Sequence, residues 1–492
     1  MRAYSRREFV ALSAAVAGAA RASSPASRNF DGDVASLTLK RASELLRTKA
    51  VSATELTRAC FDRIDRYNPA LNAFVTINDG ALDTAQAHDR ELRRGHRRGP
   101  LHGIPIALKD NFDTAGLRTT AASAHFKDRV PTEDADVVRR FKDAGAIILG
   151  KLNLHEFAFG GTSAVSYFGP VRNPWGLDRT PGGSSGGSAC AMAAGLCFAS
   201  TGTDTAGSIR IPAAYCGVVG LKPTYGRVST RGVIPLSWSL DHVGPICRTV
   251  EDTALTLQVM AGYDDRDPAS VDRPVPDYLE AVRASPSGLR VGLPRTPFFD
   301  GIDREIANAA DEAIAVLRRL VARVSDVKLP DIPTQRPILR AEAYSYHAER
   351  LKANPDLYDP FTRTLLESGA QTTAAEYARA LRQMQMSRRE IKTVFAQVDV
   401  LVTPTMPDPP MSLEEGRTRN TDGRDTAPFD VLGLPAISVP CGFTASGLPI
   451  GLQMVGAPFA ESTVLTLASA YERATEWHRR SPPATSAPAQ RR

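Results

Sequence analysis

Two runs of small residues near the middle of the chain carry the groups that acyl transfer at a serine requires. The first run, residues 182–189, reads Gly-Gly-Ser-Ser-Gly-Gly-Ser-Ala, and the second, residues 203–210, reads Thr-Asp-Thr-Ala-Gly-Ser-Ile-Arg. Serine hydroxyls can act as nucleophiles, and backbone N–H groups that small side chains leave uncrowded can hold an oxyanion. The two runs together therefore indicate acyl-transfer chemistry.

Upstream of both runs, Lys109 is a candidate base. It follows the apolar residues 104–108, which predict a short buried strand. Burial disfavours the charged ammonium form, so a neutral amine that accepts a proton from a hydroxyl becomes accessible near neutral pH. Most lysines are solvated surface charges, so this interpretation depends on the serines that accompany Lys109.

The first run has several interpretations. It is a flexible glycine–serine loop, or an anion-binding loop before a helix that begins near Ser188. A Walker phosphate loop is excluded because no Lys-Ser or Lys-Thr pair closes the run. Residues 183–187 also fit the pattern G-x-S-x-G. A nucleophile elbow needs a strand directly before it, however, and residues 179–182 predict a turn.

The second run places small residues directly before a serine, Ser208. The backbone N–H groups that can converge on a carbonyl oxygen beside this hydroxyl are those of Thr205, Ala206 and Gly207. The alternative is a tight strand-to-helix corner without chemistry. Asp204 and Arg210 flank the run, and their simplest interpretation is a structural ion pair that holds the corner.

The overall composition is that of an ordinary globular protein. Of its 492 residues, 42% are hydrophobic and 23% are charged, which is ample for a buried core. Half of the formal net charge of +6 comes from residues 1–22, which hold four arginines and one glutamate. Because no basic stripe is interleaved with aromatic residues, we expect no nucleic-acid partner. The six cysteines form no C-x-x-C pair and are expected to be buried free thiols.

The N-terminus has the three parts of a twin-arginine export signal in order. Ser5-Arg6-Arg7-Glu8-Phe9-Val10 carries the arginine pair, residues 11–20 are weakly apolar, and residues 20–22 form an A-x-A-like cleavage site. We predict an export signal over residues 1–22, read by the export machinery, and a linker over residues 23–34. The protein is then periplasmic or secreted. If the stretch is instead a frayed basic N-terminus followed by a helix, the protein is cytoplasmic.

From residue 100 onward, short apolar strands alternate with helical segments. Residues 104–108 and 146–150 predict strands, and residues 135–144 predict the helix between them. This order favours βαβ units and a mainly parallel sheet. We expect one domain over residues 35–478 and a disordered tail over residues 479–492. No segment reaches the length of a stable membrane anchor.

Lys109-Asp110 and the two runs resemble the signature of the amidase signature family of serine hydrolases. The likeness extends to residues 170–175, 216–224 and 433–440 and covers roughly residues 35–475. The resemblance implies an α/β fold with a large mixed, mainly parallel central sheet that is flanked by helices on both faces.

The resemblance also implies which residues act. It matches Ser208 to the nucleophile, Ser184 to a bridging serine held by a cis peptide bond, and Lys109 to the base. The residues expected to hold the oxyanion through their backbone are Thr205, Ala206 and Gly207, together with the nucleophile's own N–H group. The residues expected to support the site are Gly183, Ser185, Asp204 and Arg210. The scheme requires no metal and no cofactor.

Two positions depart from the family pattern. Ala206 stands where many members have glycine, and alanine would cost about 1 kcal/mol there if the backbone required a positive φ. Asp430 stands where members often have asparagine in a Phe-Asn-x-x-Gly context. Its carboxylate either binds a cationic group of the substrate or caps a helix, and we favour the cap.

The resemblance predicts an amidase that converts a small-molecule carboxamide to a carboxylate and ammonia or an amine. One alternative is the glutaminase (A-type) subunit of a tRNA amidotransferase complex, which export argues against because tRNA-dependent amidation is cytoplasmic. Another is a related carbamate or aryl-amide hydrolase. A non-catalytic binding protein is disfavoured because Lys109, Ser184 and Ser208 are all present. The sequence leaves a homodimer open and does not identify the amide.

Overall fold

The structure is a computed structural model that describes residues 37–421 and 423–486. The predicted export signal at residues 1–22 and the linker at residues 23–34 lie outside the described residues. The same holds for residues 487–492 of the predicted tail.

Within the described chain, eleven β-strands form one sheet. In chain order they are β1 (Phe74–Ile77), β2 (Pro105–Lys109), β3 (Ile147–Leu152), β4 (Ser200–Asp204), β5 (Val219–Lys222), β6 (His242–Cys247), β7 (Arg290–Leu293), β8 (Arg323–Asp326), β9 (Val400–Pro404), β10 (Ala436–Phe443) and β11 (Pro449–Gly456). The strands lie side by side in the order β1-β3-β2-β4-β6-β5-β10-β11-β9-β7-β8.

The sheet is mixed, as predicted, but it is not mainly parallel. Strand β2 is parallel to β3 and β4, and strand β7 is parallel to β8 and β9. The other six pairings are antiparallel. The prediction extended the parallel arrangement of the βαβ unit around β2 and β3 to strands that are connected in other ways. A parallel pair needs a long crossover, whereas the tight turn at residues 444–448 joins β10 to β11 and makes that pair antiparallel.

Eighteen α-helices occur in the described residues. They are α1 (Leu39–Arg47), α2 (Ala53–Leu71), α3 (Ala81–Arg93), α4 (Asp136–Asp143), α5 (Gly186–Ala193), α6 (Arg210–Cys216), α7 (Val250–Met260), α8 (Tyr278–Ala281), α9 (Arg295–Phe298), α10 (Arg304–Leu320), α11 (Arg336–Ala353), α12 (Pro360–Glu367), α13 (Ala374–Glu390), α14 (Lys392–Phe395), α15 (Leu413–Gly416), α16 (Ala427–Val431), α17 (Glu461–Thr475) and α18 (Pro483–Ser486). The last helix lies within the tail that was predicted to be disordered from residue 479.

Helices cover both faces of the sheet. A side chain at Gly451 of β11 would lie 2.5 Å from Cβ of Ala214 in α6. A side chain at Gly456, five residues along the same strand and therefore on its opposite face, would lie 2.7 Å from Val464 in α17. Both faces of β10 and β11 are buried as a result. The mixed α/β fold with flanking helices is confirmed.

All six cysteines are buried free thiols, as predicted. Among residues 37–421 and 423–486, no helix combines the length and the apolar character that crossing a membrane requires.

Candidate active site

The side chains of Lys109 and Ser184 meet in the interior of the protein. Lys109 is the last residue of β2, and Ser184 lies in the loop before α5. Lys109 Nζ donates hydrogen bonds to Ser184 Oγ at 2.7 Å and to Thr203 Oγ1 at 2.7 Å. Both Lys109 and Ser184 have no exposed surface. The lysine is therefore held by two hydroxyl groups rather than by a carboxylate.

Burial lowers the pKa of Lys109 from its ordinary value of 10.5 to about 7. The carboxylates of Asp241 and Asp204 act in the opposite direction, because they stabilise the ammonium form, but their effect is smaller. Near neutral pH, a large fraction of Lys109 is thus a neutral amine. Such a group can accept a proton at the pH at which most enzymes operate.

The register of the sheet places Lys109 beside the second run. Strand β2 is parallel to β4, with Ala107 opposite Ser200, so the carboxyl ends of both strands lie at one edge. The backbone N–H of Lys109 donates to Thr201 Oγ1 at 3.0 Å, which fixes the start of the side chain. Sequence reasoning did not identify Thr203 as a partner of Lys109, because the pairing depends on strand order alone.

The loop around Ser184 is tightly enclosed. The Gly183–Ser184 peptide bond is cis, as the resemblance implied. The Ser184 carbonyl accepts hydrogen bonds from the backbone N–H of His155 and from Ser163 Oγ, both at 3.1 Å. A side chain at Gly183 would lie 2.8 Å from the backbone nitrogens of Thr162 and Ser163, so only glycine fits there.

Ser185 joins the two runs. Its hydroxyl donates to the Thr203 carbonyl at 3.2 Å and accepts from the Thr203 N–H at 3.3 Å. Its own N–H donates to the Ser208 carbonyl at 3.3 Å. Ser185 therefore fixes the distance between the loop that carries Ser184 and the corner that carries Ser208.

Ser208 faces a cavity of about 910 Å³, which Thr205 and Ala206 also line. It is 9% exposed, in contrast to the fully buried Ser184. Among the described residues, Ser184 Oγ accepts from Lys109 but makes no hydrogen bond to Ser208 Oγ. Catalytic hydrogen bonds are often long without substrate and tighten in the complex. The geometry thus contains a buried lysine–serine pair and a second, accessible serine.

The structure differs from the predicted oxyanion hole at Gly207. The N–H group of Gly207 donates to Asp204 Oδ1 at 2.5 Å and is therefore already used. The N–H groups of Thr205, Ala206 and Ser208 have no acceptor in the part of the chain that the structure describes. All three residues line the cavity. These three N–H groups are the free donors beside the Ser208 hydroxyl.

Ala206 fits its position without strain. The residue of the run with a positive φ is Gly207, at 131°, and Ala206 is not among the residues with positive φ. The Ala206 carbonyl accepts a hydrogen bond from Thr426 Oγ1 at 2.7 Å. The substitution of glycine by alanine therefore carries none of the cost considered from the sequence.

A buried ion pair holds the corner that carries Ser208. Arg210 donates from Nε to Asp204 Oδ2 and from Nη2 to Asp204 Oδ1, both at 2.9 Å. Arg210 Nη1 also donates to Gln453 Oε1 at 2.6 Å and to the Thr426 carbonyl at 2.9 Å. Burial alone would raise the pKa of Asp204, but the Arg210 guanidinium outweighs it and holds that pKa below its usual range.

Asp430 belongs to the same buried group and neither faces the substrate nor caps a helix. It lies inside α16 and is fully buried, and its Oδ2 accepts from Arg210 Nη2 at 2.5 Å. Its other oxygen is 3.5 Å from His242 Nδ1. Burial raises the pKa of Asp430 well above its usual value. Both interpretations from the sequence, including the helix cap, were wrong because the sequence does not show that α16 packs beneath Arg210.

Asp241 supports the free N–H donors from the other side, and sequence reasoning missed it. Asp241 Oδ1 accepts from Thr205 Oγ1 at 2.6 Å, and its Oδ2 accepts from the backbone N–H groups of Leu236 and Ser237 at 2.9 and 3.1 Å. Burial raises the pKa of Asp241 to about 6. The local sequence around Asp241 offers no motif that would have predicted this contact.

One group of residues in the described chain has ligand types suited to a metal ion, and it lies away from the cavity. It consists of His88, Glu91 and His102. Arg98 donates to both carboxylate oxygens of Glu91, at 3.1 and 2.6 Å. His102 Nδ1 accepts from the Arg98 backbone N–H at 3.0 Å, so the ring proton belongs on Nε2, 3.2 Å from Glu91. This arrangement leaves no lone pair of His102 for a metal.

Comparison with known proteins gives the family. An amidase family profile matches residues 55–465. The A-type subunit of a glutamyl-tRNA(Gln) amidotransferase from Geobacter sp. (strain M21) is 42% identical over 484 residues, which cover 92% of this chain and 100% of that protein. An amidase from Pseudomonas putida is 44% identical over 463 residues, with 91% and 97% covered. The structure of native peptide amidase from Stenotrophomonas maltophilia has a TM-score of 0.82 at 35% identity, covering 92% of this chain and 99% of that one.

The chain belongs to the amidase family, the amidase signature enzymes that the motifs around Lys109, Ser184 and Ser208 resemble. It is a hydrolase that acts on the carbon–nitrogen bond of amides. The expected class of fold and class of enzyme are therefore both confirmed.

The comparisons overturn our expectation that the protein has no nucleic-acid partner. The relative that is matched over its whole length is named as part of a glutamyl-tRNA(Gln) amidotransferase. The expectation rested on the absence of a basic, aromatic stripe. Such a stripe reveals a phosphate-binding surface of the chain itself, and one component of a larger assembly does not need its own.

We expect kcat/KM to rise with pH and to level off above about pH 7, because Lys109 must be neutral to accept a proton. The variant Asp241→Asn removes a carboxylate that stabilises the ammonium form, so the midpoint should move to lower pH. Initial rates between pH 5 and 9 measure both midpoints. Activity that stays constant from pH 5 to 9 would contradict this role of Lys109.

We expect Asp204→Asn to destabilise the fold by about 3–5 kcal/mol, because it removes the main partner of a fully buried arginine. Urea denaturation measures the loss. The matched control is Asp399→Asn, which breaks a partly exposed pair with Arg290 and should cost much less. Equal losses in the free energy of unfolding would show that the buried pair contributes no more to stability than the partly exposed one.

Proposed function

We propose that this amidase cleaves its substrate through an acyl-enzyme on Ser208, with Ser184 and Lys109 as the proton relay. The observation that carries the proposal is the 2.7 Å contact between the buried Lys109 Nζ and Ser184 Oγ, next to the cavity that Ser208 lines. A nucleophilic hydroxyl needs a base within reach, and the neutral form of Lys109 supplies one through Ser184. The relay requires neither a histidine nor a metal ion.

The reaction follows in two halves. Neutral Lys109 accepts the Ser184 hydroxyl proton while Ser184 accepts that of Ser208, and Ser208 Oγ attacks the amide carbon. The carbon–nitrogen bond then breaks, and the relay returns the proton to the departing nitrogen, which leaves as ammonia or an amine. Water next gives a proton to the relay and attacks the ester carbon, which releases the carboxylate and restores the Ser208 hydroxyl.

The free N–H groups of Thr205, Ala206 and Ser208 are the proposed donors to the oxyanion. They come from one corner of the chain, and fixed backbone donors of this kind stabilise the negative charge that develops on the carbonyl oxygen. Gly207 has a different part in this proposal. Its N–H group is bound by Asp204, which holds the backbone between the donors on either side.

We expect Ser208→Ala to abolish amide hydrolysis, with kcat reduced about 10⁴-fold or more, because no nucleophile remains. Lys109→Met and Ser184→Ala should each lose about 10²- to 10⁴-fold. The matched control is Ser188→Ala, which removes a buried serine of the same run whose hydroxyl donates only to the Thr201 carbonyl. Ammonia release measures all four variants, and full activity of Ser208→Ala would falsify the mechanism.

A second candidate places the same chemistry in a larger assembly, as the glutaminase subunit of a tRNA amidotransferase. A relative of that kind, matched over its whole length at 42% identity, supports this candidate more strongly than a stand-alone amidase. The amidase from Pseudomonas putida, at 44% identity over nearly the same span, supports the stand-alone enzyme. In both candidates, Ser208 attacks a carboxamide.

The two candidates differ in what the isolated chain can do. As a glutaminase subunit, it should release ammonia from glutamine and, with the remaining amidotransferase subunits, convert glutamyl-tRNA(Gln) to glutaminyl-tRNA(Gln). A stand-alone amidase should hydrolyse its amide alone and leave that tRNA unchanged. Amidation of the tRNA that requires an intact Ser208 supports the glutaminase subunit. If the chain hydrolyses simple amides but no reconstituted complex amidates the tRNA, this candidate is rejected.

We further propose that residues 35–478 form a single amidase domain and that residues 1–22 are a twin-arginine export signal. The family match over residues 55–465 and the single sheet of the described chain support the first part. The arginine pair, the apolar run and the A-x-A-like site in order support the second. Export would separate the protein from tRNA, so the signal and the tRNA amidotransferase candidate exclude each other.

We expect a reporter fused behind residues 1–30 to be exported, and the change of both Arg6 and Arg7 to Lys to retain it in the cytoplasm. Fractionation of cells that express either fusion measures the outcome. A reporter that stays in the cytoplasm with both arginines intact would remove the export signal. It would also remove the objection to a role in tRNA amidation.

A further inference from the structure

One wall of the active-site cavity is formed by the first turns of α11. Arg336, Leu339 and Arg340 all line the cavity. Their spacing of three and four residues places them on one face of the helix. Leu339 is buried, Arg340 is partly buried and Arg336 is exposed. The helix therefore presents two guanidinium groups to the same space that the nucleophile faces.

Neither guanidinium has a partner within residues 37–421 and 423–486. The contact made by Arg336 is through its backbone N–H, which donates to Thr334 Oγ1, and the side chain of Arg340 makes no hydrogen bond or ion pair. Arginine stays charged at every pH in ordinary use and presents five donors in a planar fork. Two adjacent unpaired forks create a strongly positive region.

The other lining residues that the structure describes do not cancel this charge. Arg419 also lines it, and Asp408 is the one acidic residue among the described lining residues. The apolar part of the wall includes Phe159, Ile211, Leu236, Leu365 and Met406. The described lining of the cavity thus combines the proposed nucleophile, apolar side chains and an excess of positive charge. A substrate that matches it has a carboxamide, an apolar stem and a negative group.

We propose that Arg336 and Arg340 select an amide whose acyl group carries a carboxylate. The two forks hold the carboxylate by charge-assisted hydrogen bonds while the carboxamide carbon lies at Ser208. A carboxylate fits because its two oxygens match the paired donors of a guanidinium. The inference rests on the proposed function, because Ser208 must be the point of attack. Arg336 and Arg340 are specificity residues that contact the substrate away from the reacting bond.

Matched pairs of amides test the selection. Succinamate, glutaramate and adipamate carry a carboxylate at increasing distance from the carboxamide, and butyramide, pentanamide and hexanamide are their neutral counterparts. We expect the anionic member of at least one pair to have a kcat/KM about tenfold to a hundredfold higher. The preference should shrink as salt rises, because mobile ions screen exposed charges.

Variants then assign the preference to the two arginines. The double variant Arg336→Gln, Arg340→Gln should lose the preference for the carboxylate, because its kcat/KM should fall about tenfold to a hundredfold more for the anionic amide than for the neutral counterpart. The matched control is the double variant Arg379→Gln, Arg382→Gln, an equal change of charge at two exposed arginines of α13 outside the cavity. Arg340→Glu should instead favour the cationic 5-aminopentanamide over pentanamide.

Binding separates this inference from the mechanism. Calorimetric titration of the Ser208→Ala variant measures the affinity for each amide without turnover, and it should show the same preference for the carboxylate. Turnover by Ser208→Ala would contradict the proposed mechanism. The binding preference of the same variant would still support or contradict the role of the two arginines. The inference is overturned if no anionic amide binds more tightly than its neutral partner. It is also overturned if the double variant weakens both members of a pair equally.

Discussion

The position of Ser208, the proposed nucleophile, depends on the carboxylate of Asp204. It accepts hydrogen bonds from the backbone N–H groups of Gly207 and Ile209 and from the guanidinium of Arg210. Arg210 in turn donates to Gln453 of β11. Removing two charges from water costs several kcal/mol each unless every donor and acceptor finds a partner. The hydrogen bonds of this pair therefore fix the backbone of the corner between β4 and α6, and this backbone places Ser208 at the cavity.

A low pKa alone does not identify the base, because three buried lysines share it. Burial lowers the pKa of Lys109 and of Lys222 to about 7 and that of Lys151 to about 8. Lys222 donates to the Leu434 carbonyl, which has no proton to give. Lys151 donates to the Phe112 carbonyl and to Thr119 Oγ1, but that hydroxyl is fully buried and does not line the cavity. Lys109 differs in its partner. It contacts a serine hydroxyl beside the cavity, and the chemistry follows from that contact.

Residues whose type the function requires could be predicted from the sequence. Contacts that depend on the path of the chain could not. The small residues around Ser184 and Ser208 could be recognised because bulkier ones would close the site. The antiparallel centre of the sheet could not be predicted, because it follows from connections between distant strands. Asp430 lies 220 residues from Arg210, and no local pattern shows that the two side chains meet. The same holds for Gly207, because the direction of the Asp204 side chain decides whether the Gly207 N–H group is free or already bound.

The separation of chemistry from specificity explains why the reaction could be predicted and the substrate could not. The proposed reacting groups come from two short runs and from the end of strand β2. Much of the cavity wall comes from α11 and from residues 406–411 and 419–421, which lie far along the chain and outside the motifs around Lys109, Ser184 and Ser208. These segments can change without disturbing Ser208, because the buried pair of Asp204 and Arg210 that holds the corner does not line the cavity. A component of a tRNA amidotransferase and a peptide amidase each resemble this chain over 92% of its length, so the likeness alone does not single out one substrate.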